Sequence, residues 1–217
     1  MTHKLLNTLL WLLMLTGVSF ARGDEKQWPF DVYLNDQHIG THRFTLKGTP
    51  SNLKIESVAH FDVRFLGLGL YHYDHEAEET WSQNCLIHLK AATNDNGADL
   101  RVLGQSSEQG FVLNVDGRTE MHPGCLMTFA YWNPEMLKQH QLINPQNGQL
   151  TNVKIEKVGR ETLSHEGQTL VTDHYRLLAP EFEIDLWYDQ KGAWVALDST
   201  LENRQKLRYR MEPSGRG

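Results

Sequence analysis

From Leu53 to Phe65 the chain alternates residue by residue. Leu53, Ile55, Ser57, Ala59, Phe61, Val63 and Phe65 share one parity, and Lys54, Glu56, His60, Asp62 and Arg64 hold most of the other. Successive side chains of an extended strand point to opposite faces, so this span has one buried face and one wet face. The same period recurs before it. Phe30, Val32 and Leu34 alternate with Asp31 and Asn35, and Phe44 and Leu46 alternate with Arg43, Thr45 and Lys47. Further strands are read at 71–82, 85–92, 100–103, 111–115, 153–158, 169–178, 182–188, 194–201 and 207–211. Turn chemistry separates them: Asn35-Asp36, Asn94-Asp95-Asn96-Gly97, Asp116-Gly117, Glu166-Gly167 and Lys191-Gly192.

One short helix is expected near 134–140. Asn133 is suited to cap it, Pro134 fits its first position, and Glu135 favours the positive end of the dipole. Asn144-Pro145-Gln146-Asn147-Gly148 then reads as a turn. The fold class is therefore all-β. A sheet of ten or more strands must curl, split or close. A large curved antiparallel meander, half-barrel or barrel-like, is the preferred architecture, with a β-sandwich or closed barrel as alternatives. Curling turns the buried face into a concave surface able to hold a ligand.

The N-terminus bears on compartment. Met1-Thr2-His3-Lys4 is weakly cationic, residues 5–18 are mostly apolar, and Ser19-Phe20-Ala21 places small residues two apart. That is the layout of a secretory signal cleaved after Ala21. The alternative is an N-terminal anchor, but the run falls short of the ~20 apolar residues a spanning helix needs. The expected organisation is a signal peptide at 1–21, one all-β domain at 22–211 and a disordered tail at 212–217. The periplasm is the expected location, with no stable membrane span after cleavage. Cys85 and Cys125 are the chain's two cysteines. In an exported chain such a pair reads as a disulfide, with free buried thiols or a redox pair as alternatives; the CxxC spacing of redox pairs is absent. The formal net charge of −6 argues against nucleic acid as a partner, which requires clustered Lys and Arg.

Three stretches carry a family likeness. The first is Phe30-Asp31-Val32-Tyr33-Leu34-Asn35-Asp36 with Ile39-Gly40-Thr41-His42. The second is Glu79-Thr80-Trp81 through Cys85-Leu86, with Thr93-Asn94-Asp95-Asn96-Gly97. The third is Pro123-Gly124-Cys125 with Phe129-Ala130-Tyr131-Trp132-Asn133-Pro134, then Asp185-Leu186-Trp187-Tyr188-Asp189. In these the chain resembles an uncharacterised bacterial exported family, domain-of-unknown-function family 6134. In strand pattern it is more weakly similar to a second uncharacterised exported family. The resemblance implies compartment and fold, and carries over no catalytic residue.

The richest run of chemical side chains is 71–81. Strand parity splits it. His72, Asp74, Glu76 and Glu78 face one way, and Tyr71, Tyr73, His75, Ala77, Glu79 and Trp81 the other. His72, Asp74 and Glu76 are weak metal candidates, because a flat wet strand lacks the convergence a tight site needs. His75 and Glu79 sit on the aromatic face. They read as candidate catalytic groups, or as a hydrogen-bonded internal pair. Tyr71, Tyr73, His75, Glu79, Trp81, Tyr131 and Trp132 are the candidate ligand-binding residues, since Tyr and Trp join apolar surface to a polar tip. His174 with Asp173, and Asp185 with Asp189, are further candidates for acid–base work, against the stronger reading of a salt-bridged outer face with Arg208 and Arg210 as cross-strand partners. The sequence holds no G-x-S-x-G elbow, Walker loop or dinucleotide fingerprint. No cofactor is expected. The leading reading is a non-enzymatic envelope protein binding a lipid-like or small-molecule ligand, or an envelope protein. The alternatives are a hydrolase or isomerase using His75 and Glu79, and a structural or assembly protein.

Overall fold

The computed structural model describes residues 25–65, 68–165, 168–200 and 204–211. The expected signal segment at 1–21, the expected disordered tail at 212–217 and the Glu166-Gly167 turn lie outside them. The first eight strands run in series: β1 (Lys26–Leu34), β2 (Gln37–Thr49), β3 (Asn52–Phe65), β4 (Leu68–Ser82), β5 (Cys85–Asp95), β6 (Ala98–Ser107), β7 (Gly110–Val115) and β8 (Arg118–His122). A small hairpin follows, β9 (Gln141–Ile143) with β10 (Leu150–Asn152). The chain then resumes with β11 (Lys154–His165), β12 (Gln168–Leu178), β13 (Glu183–Asp189), β14 (Trp194–Thr200) and β15 (Lys206–Met211).

Thirteen strands form one antiparallel sheet in the order β11-β12-β13-β14-β15-β1-β2-β3-β4-β5-β6-β7-β8. The first and last strands meet in its middle, Phe30 opposite Met211 and Leu34 opposite Leu207. The edges are β8 and β11, which do not pair, so the sheet stays open. Residues 123–153 join those two edges.

That joining segment shows that the sheet is bent. Trp132 meets Trp81 of β4 with ring centroids 5.4 Å apart, and its neighbour Tyr131 meets Trp194 of β14 at 5.2 Å. Five strand steps separate β14 from β4. In a flat sheet that is about 24 Å, too far for two adjacent residues to bridge. The sheet therefore wraps around the segment, which lies as a strap across its concave side. Strap residues Met127, Ala130, Met136, Leu142 and Ile143 are buried in one core with strand residues Phe30, Trp81, Leu89, Leu186 and Trp194.

Parity holds through β3: Ile55, Ser57, Ala59 and Phe61 are buried, while Lys54, Glu56 and His60 are exposed. Asn96-Gly97 and Asp116-Gly117 take positive φ at both residues, as two-residue hairpin turns require. Gly40 answers to closeness instead. A Cβ there would lie 1.9 Å from the carbonyl oxygen of His60, so only glycine lets β2 approach β3 at this point. The expected helix is a single 3-10 turn, Pro134–Lys138, with the Asn133 side chain accepting from the Glu135 N–H. It ends early because Gln139 is already extended and its N–H turns back to the Met136 carbonyl. Strands β8, β9 and β10, too short for a clear period, are additions to the sequence reading. Cys85 and Cys125 form a disulfide that fastens the start of the strap to β5.

Candidate functional site

A cavity of about 300 Å³ lies between the strap and the concave face. Phe44, Ile55, Ile184, Leu197 and Leu207 supply apolar wall from five strands. The strap adds Thr128 to Trp132 and Asn144 to Gln146, and the half-exposed rings of Phe129 and Phe182, 5.8 Å apart, stand at the rim. Into this wall the sequence sets four polar side chains of β2, β3 and β4: His42, Ser57, His75 and Glu79.

Glu79 is buried, and burial pushes its carboxyl up to about 7, against the smaller opposing effect of two hydrogen bonds. Trp81 Nε1 donates to Oε2 at 2.8 Å, and Thr128 Oγ1 donates to the same oxygen at 3.3 Å. Both of these bonds fall on Oε2. His75 is pushed down to about 4 by burial and is neutral at pH 7. Its tautomer follows from its neighbours. Thr93 Oγ1 donates its one hydrogen to the Gln146 carbonyl at 3.0 Å, so it accepts from His75 Nδ1–H at 2.9 Å. Nε2 of His75 is then a bare acceptor. His42 is held near 3, by burial first and by His75 second. Its ring joins the hydroxyls of Ser57, 2.7 Å from Nε2, and Tyr209, 3.2 Å from Nδ1. The site thus combines a proton donor near neutral pH, a neutral acceptor and a hydroxyl pair inside an apolar wall.

Of the residues singled out from sequence, His75, Glu79, Tyr131 and Trp132 line this cavity. Trp81 is buried beside it and serves Glu79, and Tyr73 is buried with its ring stacked on Phe61 at 5.2 Å. Tyr71 is exposed and takes no part in the lining. His75 and Glu79 are not bonded to each other: Thr93 holds one, and Trp81 with Thr128 the other. Four residues apart on one strand, their Cα atoms are about 13 Å from each other. His42, Ser57, Thr128 and Tyr209 were missed. His42 shares parity with Phe44, and Ser57 with Ile55, which was signal enough for those two. Thr128 lies in irregular chain, where parity says nothing.

The outer face carries separate clusters. His72 and Asp74 of β4 meet His60 and Asp62 of β3, while Glu76 is exposed outside that group. Hydrogen bonds from the imidazoles, His72 first for Asp62 and His60 first for Asp74, hold both carboxyls below the usual range. His174 is bonded to Glu161 at 2.8 Å and Asp185 at 2.7 Å beneath the ring of Trp187. Arg176 pairs with Asp185, whereas Arg208 and Arg210 pair with Asp198 and not with Asp185 or Asp189.

The model of a family described as Domain of unknown function (DUF6134) matches residues 30–212. The chain belongs to the DUF6134 family. That span takes in every strand from Phe30 onward, the strap and all the cavity residues of this DUF6134 domain. Among solved structures it is similar to the crystal structure of a beta-barrel-like protein of domain of unknown function DUF1849 from Brucella abortus. The two share 7% identity and a TM-score of 0.66 over 88% of this chain and 96% of that one. At that identity the likeness concerns the fold, which this chain shares with that beta-barrel-like protein. No curated protein matches the sequence. No helix among the described residues is long and apolar enough to cross a membrane.

Proposed function

We propose that this DUF6134 protein is an exported, periplasmic binding protein that holds one small amphiphile in the cavity under the strap, without converting it. The observation that carries the reading is the pairing of an apolar wall with a few convergent polar groups, the usual composition of a ligand site. Phe44, Phe129 and Phe182 face the apolar part of the guest. Glu79, protonated below about pH 7, donates to its polar end, and His75 Nε2 accepts from it. A guest with a hydroxyl head, which both accepts and donates, satisfies both. The disulfide supports the compartment, because such bonds persist in oxidising surroundings. The apolar segment ending at Ala21 supports export.

The test uses a neutral fluorophore, N-phenyl-1-naphthylamine, and lipid extraction of protein purified without detergent. Saturable one-to-one binding of the fluorophore, lost in A77F, which fills the cavity, is the expected result. Extraction yields one co-purifying amphiphile per chain. The absence of both a bound lipid and saturable fluorophore uptake would sink the proposal.

A second reading, a hydrolase or isomerase using His75 and Glu79, is supported by a neutral base and a near-neutral acid in one cavity. The separate hydrogen-bond partners of the two groups make it the weaker reading. Conversion of a bound ester by wild-type protein, absent in H75Q and E79Q, would replace binding alone with catalysis.

A further inference from the structure

We propose that His60, Asp62 and His72 form a site for one divalent transition-metal ion, zinc being the simplest case, on the outer face of the sheet, with Asp74 orienting both imidazoles. The placement follows from register. In the β3–β4 pair His60 lies opposite Asp74 and Asp62 opposite His72, so the two histidines occupy one diagonal of a quadrilateral and the two aspartates the other. Each aspartate reaches both rings. Asp74 is 2.6 Å from His60 Nδ1 and 2.7 Å from His72 Nε2. Asp62 is 3.1 Å from His60 Nε2 and 2.9 Å from His72 Nδ1.

Each ring thus turns one nitrogen to Asp74 and the other to Asp62. When both rings are neutral and keep their N–H on the Asp74 side, where the contacts are shorter, His60 Nε2 and His72 Nδ1 offer lone pairs on the Asp62 side. Donor atoms of His60, Asp62 and His72 all lie within 4.8 Å of one another. In that form three donors converge with no hydrogen between them, the arrangement a cation completes. A tetrahedral ion at ordinary bond lengths sets its donors about 3.4 Å apart, so the two contacts to Asp62 need lengthen by only a few tenths of an ångström.

The second carboxylate strengthens the case. Histidines that bind metals usually donate their other N–H to a carboxylate, which fixes the tautomer and raises ligand basicity. Asp74 does this for both rings at once. Two imidazoles and one carboxylate select zinc, copper or nickel over magnesium or calcium, whose sites are built from oxygen. The side chains of His60 and His72 are half exposed, so water completes the coordination. Arg64 Nη2, 3.9 Å from Asp62 Oδ2, is the neighbouring cation, and its own exposure lets it turn away. The site is on the opposite face of β4 from His75 and Glu79, and it stands or falls independently of the cavity.

The experiment is a calorimetric titration of purified protein, stripped with a chelator and dialysed, with zinc chloride. A saturable one-to-one event is expected. H60Q, H72Q and D62N each weaken it by at least about tenfold, and D74N by about tenfold as an outer partner. H38Q, on an exposed histidine outside the cluster, leaves it unchanged, and magnesium chloride gives no event. Long-range nitrogen NMR of the wild-type imidazoles gives a readout that needs no variant: zinc shifts Nε2 of His60 and Nδ1 of His72. The absence of saturable uptake, equal affinity in the H60Q/H72Q double variant, or equal binding of magnesium would overturn the assignment.

Discussion

Glu79 is the residue on which most of the electrostatics turns. It sits near 7 in the fold against an ordinary 4.5, so the folded chain binds its proton more tightly than the unfolded one. Its contribution is complete below pH 4.5 and is lost as pH rises towards 7, a swing of about 3 kcal/mol. E79Q keeps an acceptor for Trp81 and Thr128 and removes the titration. Urea unfolding should therefore show E79Q gaining on the wild type by up to about 3 kcal/mol at pH 8, and little at pH 4.5. His42 and His75 act in the other direction. Held near 3 and 4 against an ordinary 6.5, they oppose folding as pH falls below 6.5. The H42N/H75Q pair should flatten the acid limb of the stability curve between pH 6.5 and 4, measured in the same way. The inward aspect of Glu79 and His75 was legible from parity alone. Their separate partners were not: Thr93 meets His75 through the register between β4 and β5, and Thr128 reaches Glu79 from irregular chain whose path no local pattern encodes.

At the scale of elements, strands announce themselves where they are long and one-sided, as β3 and β4 do. The same parity that placed His72 and Asp74 on a wet face could not show them meeting His60 and Asp62, since that depends on the register between strands. Register is pinned in part by Gly40. G40A should cost about 3 kcal/mol or more, read from the urea midpoint, because its methyl would overlap the His60 carbonyl. The strap shows the opposite case. Its capping residues were readable, but its fold-back depends on contacts with two strands five steps apart in the sheet, β4 and β14. The Cys85–Cys125 bond closes a separation of 40 residues, for which loop entropy gives about 4 kcal/mol. C85S/C125S should lower stability by roughly that amount and weaken fluorophore binding, since the bond holds the strap near Trp81.

For the whole molecule, the number of strands forced the sheet to curl, and the strap decided what the curl encloses. An open sheet with unpaired β8 and β11 edges keeps its two halves together through the strap, which touches β4 on one side and β14 on the other. Curvature was foreseeable from strand count. The cavity was not, because its volume depends on how completely Phe129, Tyr131 and Phe182 fill the hollow. The central claim is that strap and sheet together leave room for a guest whose polar end reaches Glu79. A crystal structure of protein purified from the cell envelope without detergent tests it most directly. Continuous density for one elongated molecule between Phe44, Phe129 and Phe182, ending beside Glu79 Oε1, is the predicted result. Rings of the strap collapsed onto His75 and Glu79, with no space between, would contradict it.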